Sequence, residues 1–172
     1  MDLEEQDYTQ PGIERLVTIN TAQDWGEAAD VSVFYGRELE LEGLKQWIIE
    51  DHCRLIVLLG MGGIGKTSLS VKLAEQLQDR FDFLIWRSLR NAPPLEELLP
   101  PMIQFLSQQQ ETEANLPKTT HRLLSRFNYY LRQKRCLIVF DNVETILKSG
   151  SPAGRYREGY EDYGELFQQV AE

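Results

Sequence analysis

The sequence predicts an α/β fold built on a parallel sheet. Three observations carry that expectation. Strand-sized apolar runs recur at Arg54 to Leu59, Phe81 to Leu89 and Cys136 to Phe140. Stretches of helical periodicity lie between them, and that alternation is the signature of parallel pairing through crossover helices. The runs are apolar at successive positions rather than at every second one, as strands covered by helices on both faces must be.

The chain has 172 residues, enough for one domain with a sizeable core, and its 42% hydrophobic and 26% charged content is ordinary for a globular protein. No apolar run exceeds the length of Leu55 to Leu59, which is far too short to cross a bilayer. Met1 is followed by Asp2, Glu4 and Glu5, the opposite of a cationic signal peptide. Cys53 and Cys136 adjoin apolar runs and match no metal spacing. They read as buried thiols of a reducing, cytoplasmic compartment.

The net charge of −9 is uneven: residues 1–30 hold eight acids against Arg15 alone, which leaves −2 for the rest. A segment so acidic argues against a nucleic-acid-binding arm, since phosphate contacts need Lys and Arg. Residues 1–30 read as an acidic leader or linker, and residues 31–172 as the compact domain.

Taken in order, Leu41, Leu44, Trp47 and Ile48 fall at helical spacing within Gly36–Ile48. Arg54–Leu59 is expected to be a continuous apolar strand closed by Gly60. Ser68–Gln78 follows as a helix with Leu69, Leu73 and Leu77 on one face. Phe81–Leu89 is the second strand. Pro93 and Pro94 open a helix reaching Leu106, which Pro100 and Pro101 threaten to split in two. Gln108–Asn115 is polar loop, Thr119–Arg132 a helix, and Cys136–Phe140 a third strand ending at Asp141. Leu147–Tyr156 reads as loop and Glu158–Val170 as a closing helix.

The segment Gly60-Met61-Gly62-Gly63-Ile64-Gly65-Lys66-Thr67 fits the phosphate-loop pattern G-x-x-x-x-G-K-[ST], the Walker A motif. It follows an apolar strand and opens an amphipathic helix, the context that gives the pattern its meaning. The glycines allow positive φ and let the backbone close around an oxyanion. The helix adds the positive end of its dipole, and Ser68 lies in its first turn. Lys66 is expected to reach the β- and γ-phosphates, and the Thr67 hydroxyl to serve Mg²⁺. Helix capping is the structural alternative for Thr67 and Ser68, and it is compatible with those roles. These residues predict a P-loop NTPase, a three-layer sandwich around a parallel sheet.

Asp141 ends a buried strand 75 positions beyond Lys66, where ligands bind in open α/β sheets. It is the expected Walker B acid assisting Mg²⁺. The group that activates water is less plain. Asn142 follows where many such ATPases carry a second acid, and Asn cannot accept a proton. Glu144 is the nearest carboxylate; it reads equally as a water-polarising group or a solvated residue.

Together these motifs resemble one family. Val33-Phe34-Tyr35-Gly36-Arg37-Glu38, Gly60 through Ser68, Phe81-Asp82-Phe83-Leu84-Ile85-Trp86 and Leu137-Ile138-Val139-Phe140-Asp141-Asn142 occur in the order and spacing of STAND NTPases of the NB-ARC type. The run is most similar to cyanobacterial NB-ARC modules that carry WD repeats further on. The resemblance implies ATP or ADP as ligand, a closed ADP form, and oligomerisation after exchange. Val33, Phe34, Gly36 and Arg37 would then approach adenine and ribose. Arg37 reads equally as a phosphate contact or a partner of Glu38 or Glu40; Phe34 and Tyr35 read as base contacts or core. The family core also implies a fourth strand with a sensor Arg, a fifth strand, a helical domain and a winged helix whose His senses ADP. None is found here, and His52 and His121 stand elsewhere. In related sheets the fourth strand lies between the P-loop strand and the Asp141 strand. Either a gap or direct pairing of those two strands is therefore expected, in a chain read as a fragment, a truncated gene product or one piece of a split protein.

The expected function is a nucleotide-dependent switch with slow or absent ATP hydrolysis, acting through protein partners and not through nucleic acid or a membrane. A small-molecule phosphotransferase is compatible with the P-loop, but no Arg-rich lid is visible. A GTPase would need an Asn-Lys-x-Asp signature, which does not occur. A degenerate protein-interaction adaptor is the remaining alternative. Tyr156, Tyr160 and Tyr163 read as a contact surface or as packing on the core. Arg87 and Arg90 read as phosphate-facing groups or a solvated strand end.

Overall fold

The computed structural model describes residues 21–31, 34–150 and 154–172; Val33 and residues 1–20 lie outside them. The chain forms β1 (Ala22–Asp24), α1 (Glu38–Ile49), α2 (Lys66–Leu77), β2 (Phe83–Ser88), α3 (Leu95–Leu106), α4 (Thr120–Gln133), β3 (Cys136–Asp141) and α5 (Asp162–Ala171). Short 3₁₀ turns follow α2 at Gln78–Arg80 and β3 at Val143–Ile146. The three strands are parallel in the order β1-β2-β3. Each predicted helix is present to within a few residues at its ends.

The strands are apolar on both faces because both faces are covered. Phe83 and Ile85 of β2 belong to a large core with α3, α4 and α5, on which Cys136, Ile138 and Phe140 of β3 also pack. The intervening residues face the other way. Trp86 packs with Val71 of α2 and with Val31, against Val139, while Leu137 lies on the α1/α2 cluster. The result is helices, sheet, helices, the three-layer α/β arrangement of an incomplete P-loop NTPase fold.

Among the described residues the sheet has three strands, but not the three predicted. Arg54–Leu59 pairs with no strand. It keeps a strand-like alternation: Ile56 and Leu58 pack on the α1/α2 cluster, while Leu55, Val57 and Leu59 are exposed, Leu59 at 87%. A strand is defined by its neighbour, and among the described residues none lies between this segment and β3. Of the two expected outcomes, the gap is the one observed. β3 is therefore an edge, half-buried along its whole length where β2 is buried over Phe83–Trp86.

The third strand comes instead from the acidic segment read as leader. Ala22–Asp24 runs beside Phe83–Ile85. Its anchors are long-range. The Thr21 hydroxyl donates to the carbonyls of Gln78 and Phe81 at 2.7 and 2.8 Å, the Ala22 amide donates to Asp82, and Asp24 pairs with Arg87. This ion pair accounts for Arg87, while Arg90 is exposed.

Helix α3 is continuous despite Pro100 and Pro101. Both rings lie away from the buried stripe of Leu95, Leu98, Leu99, Met102, Ile103 and Leu106. The carbonyls whose donors they remove are those of Glu96 and Glu97, on exposed residues that water can reach. Helix α5 is pinned by two tyrosines, one just before it and one in its first turn: Tyr160 and Tyr163 donate to the carbonyls of Ala92 and Pro93, each at 2.7 Å. Tyr163 is buried and burial pushes its phenol above the usual range, so these rings serve packing. Cys136 is partly buried, but Cys53 is exposed rather than buried, because the segment beside it lies at the surface.

Candidate functional site

The Gly60–Ser68 loop joins the unpaired Arg54–Leu59 segment to α2. Its glycines do not all work alike. Gly63 and Gly65 have φ of 79° and 86°, where a side chain would be strained. Gly60 does not share that conformation; a Cβ there would stand 3.1 Å from the Ile64 side chain. Gly65 immediately precedes α2, so the first-turn amides of Lys66, Thr67 and Ser68 open at the loop. Met61 and Ile64 are exposed at its rim. Lys66 folds over the loop, its ammonium donating to the carbonyls of Gly60 and Met61 at 2.8 and 3.1 Å.

Thr67 links the loop to the sheet. Its hydroxyl lies 3.0 and 3.1 Å from the two carboxylate oxygens of Asp141, at the end of β3. Residues 74 positions apart thus meet at the carboxyl end of the sheet. A hydroxyl beside a carboxylate is a hard-oxygen donor pair that fits Mg²⁺, which takes one or two protein oxygens and completes its shell with water and phosphate. Among the described residues no cluster of three His, Cys, Asp or Glu side chains could hold a metal. A cation at Thr67 and Asp141 would accordingly depend on ligand oxygens.

Asn142 turns into the left-handed region, φ 59°, and aims the chain away from β3. The Ser88 hydroxyl donates to its side-chain oxygen at 3.2 Å, an arrangement set by the register that pairs Ser88 with Asp141. Glu144 is exposed and its carboxylate stands 3.5 Å from the Asn142 amide. Its hydrogen-bond partner is thus Asn142 and not Lys66 or Thr67.

From the other side comes the segment before α1. Phe34 is half-buried against both small clusters of that face, Tyr35 is 89% exposed, and Gly36 has φ 73°. Arg37 takes a left-handed φ of 63° and reaches the loop: its Nη1 donates to the Ile64 carbonyl at 3.1 Å, and its Nε to Glu40 at 3.2 Å. Of the two carboxylates expected for Arg37, Glu40 is the one found. The Ile64 carbonyl and the Ser88–Asn142 contact escape sequence reasoning. The first has no side-chain signal, and the second needs the strand register.

The NB-ARC domain family matches residues 37–148. The chain belongs to the NB-ARC family. It is thus a STAND-class P-loop NTPase module, and its family membership implies nucleotide binding in a signalling context. Among similar proteins, an uncharacterized WD repeat-containing protein of Nostoc sp. is 54% identical over 87% of this chain, which spans 12% of that protein. The disease resistance-like protein DSC1 of Arabidopsis thaliana is 33% identical over 60% of the chain and 8% of its own length. The disease resistance protein RPM1 of the same plant is 28% identical over 53% of the chain and 10% of its own length. This NB-ARC chain therefore spans only a small part of the curated relatives it matches. No solved structure matches it significantly. No helix among the described residues is long and apolar enough to cross a membrane.

Proposed function

We propose that this NB-ARC module binds ATP or ADP with Mg²⁺ at the Gly60–Ser68 loop and acts as a nucleotide-dependent switch that hydrolyses ATP slowly or not at all. The observation that carries the reading is the meeting of the Thr67 hydroxyl with both oxygens of Asp141. A hydroxyl from the loop and a carboxylate from the sheet are the two protein oxygen groups that would hold Mg²⁺. Bound there, the cation would neutralise phosphate charge. Gly60 to Ser68 would supply backbone amides and the Lys66 ammonium would move from the loop carbonyls to phosphate oxygens. Val33, Phe34, Gly36 and Arg37 would border the base and ribose. Slow hydrolysis follows from the candidate base: Glu144 is exposed beside Asn142, and Asn142 has no basic group. A cytoplasmic setting and protein partners, such as sensor or effector domains or further copies of the chain, belong to the same proposal.

Calorimetric titration of the 172-residue chain with Mg²⁺ and ATP or ADP is the test. Micromolar binding that Lys66→Ala abolishes is expected, with no ATP turnover beyond a slow basal rate. The exposed Leu55, Val57 and Leu59 favour a second reading, an adaptor that acts by protein contact alone. A folded chain that binds neither nucleotide would leave that reading standing and remove the first.

A further inference from the structure

Arg37 is the residue whose position nothing so far explains. It belongs to the segment before α1, yet its guanidinium crosses to the phosphate loop and donates from Nη1 to the Ile64 carbonyl at 3.1 Å. The same group lies 3.6 Å from where a Cβ on Gly65 would stand. It is not free to swing, because Nε donates to Glu40 at 3.2 Å, one turn into α1. The backbone of Arg37 takes a left-handed φ of 63°, costly for a residue with a long side chain.

Ile64's carbonyl and Gly65's amide belong to one peptide unit, which is planar and trans. Drawing the oxygen toward Arg37 turns the Gly65 N–H to the opposite side. Gly65 has φ 86°, and without a Cβ its peptide is otherwise lightly restrained. A charged donor on the carbonyl also polarises the unit and strengthens its amide as a donor. We infer that Arg37 is a positioning residue: braced by Glu40, it holds the Ile64–Gly65 peptide so that the Gly65 amide is presented to the phosphate of a bound nucleotide, without itself touching that phosphate. This rests on the nucleotide-binding reading above. It departs from the expectation that Arg37 contacts a phosphate, and it ties the base-proximal segment to the phosphate loop through one side chain.

The fork geometry matters. Nε and Nη1 of one planar group serve Glu40 and Ile64 at once, whereas a lysine offers a single ammonium on a flexible stem. A role through charge on phosphate would survive Arg37→Lys; a role through the peptide would not.

The experiment compares the 172-residue chain with its Arg37→Gln, Arg37→Lys and Glu40→Gln variants, all first shown folded by circular dichroism. The Gly65 amide resonance is read without nucleotide, and binding of Mg²⁺ and ADP is then measured by calorimetry. Both Arg37 variants should move the Gly65 resonance in the free protein and weaken ADP about tenfold, the usual loss for a hydrogen bond to a charged group. Glu40→Gln should give a smaller change of the same kind. Restored affinity in Arg37→Lys with an unmoved Gly65 amide would identify direct phosphate contact and overturn the inference. Unchanged affinity in both variants would reduce Arg37 to a surface ion pair. If the unsubstituted chain does not bind ADP, the nucleotide reading falls and this inference falls with it. Binding by that chain, with Gly65 unmoved in Arg37→Gln, sinks this inference alone.

Discussion

On one face of the sheet α3, α4 and α5 enclose a core of seventeen buried residues, among them Phe127, Leu99 and Ile103 with no exposed surface. On the other face α1 and α2 enclose six, from Leu41 to Phe81, with a further three around Trp86, counting the described residues. Of the nine large hydrophobic residues left exposed among the described residues, eight fall from Tyr35 to Ile64, on the thin side. The phosphate loop is on the thin side too. The dense side acts as a platform that holds Asp141 at the end of β3. The thin side carries the glycines, Lys66, Thr67 and Arg37 on elements that keep fewer packing constraints, which is where segments that reorganise on binding tend to be found. The difference teaches that the candidate site spans a stability boundary rather than lying inside one core.

The contrast can be broken by truncation. Phe127→Ala should cost about 3–5 kcal/mol, while Leu73→Ala, at the margin of the thin cluster, should cost about 2 kcal/mol. Urea titration followed by circular dichroism would read both, and equal losses would mean the two faces share a single core. Next in size, Tyr163→Phe should lose about 1 kcal/mol, because it removes the donor to the Pro93 carbonyl while keeping the buried ring.

Sharpest in contrast, and without any substitution, is thiol labelling. Cys53 should react with iodoacetamide promptly at pH 8, and Cys136 far more slowly, since burial pushes its thiol from 9.0 up to about 12. The raised value means the folded state favours the neutral thiol. Its stabilising effect is present in full below about pH 9, where the unfolded thiol is also protonated, and is lost as pH rises toward 12. Labelling of both cysteines at one rate would erase the distinction between the faces.

What was legible in the sequence was local. The phosphate loop declares itself because its glycines, Lys66 and Thr67 are contiguous, and Asp141 because it closes an apolar run. The helices were legible for the same reason, each carrying its own periodicity. Strand membership was not. Arg54–Leu59 is more apolar than Ala22–Asp24, yet the polar tripeptide is in the sheet and the apolar run is outside it. Pairing depends on what lies alongside: Thr21 finds two carbonyls near residue 80 and Asp24 finds Arg87, while no strand among the described residues pairs with Arg54–Leu59. Contacts to backbone carbonyls, such as Arg37 to Ile64, leave no trace in the pattern of side chains at all.

The Thr67–Asp141 contact has one more consequence. A single hydroxyl proton, shared between two oxygens at 3.0 and 3.1 Å, stitches the thin side of the molecule to the dense one. A divalent cation in that proton's place would pull on the same oxygens with two charges instead of a fraction of one. The seam would then be as tight as the ion holding it, and the mechanical unity of the two sides would become a variable set by the concentration of a solute.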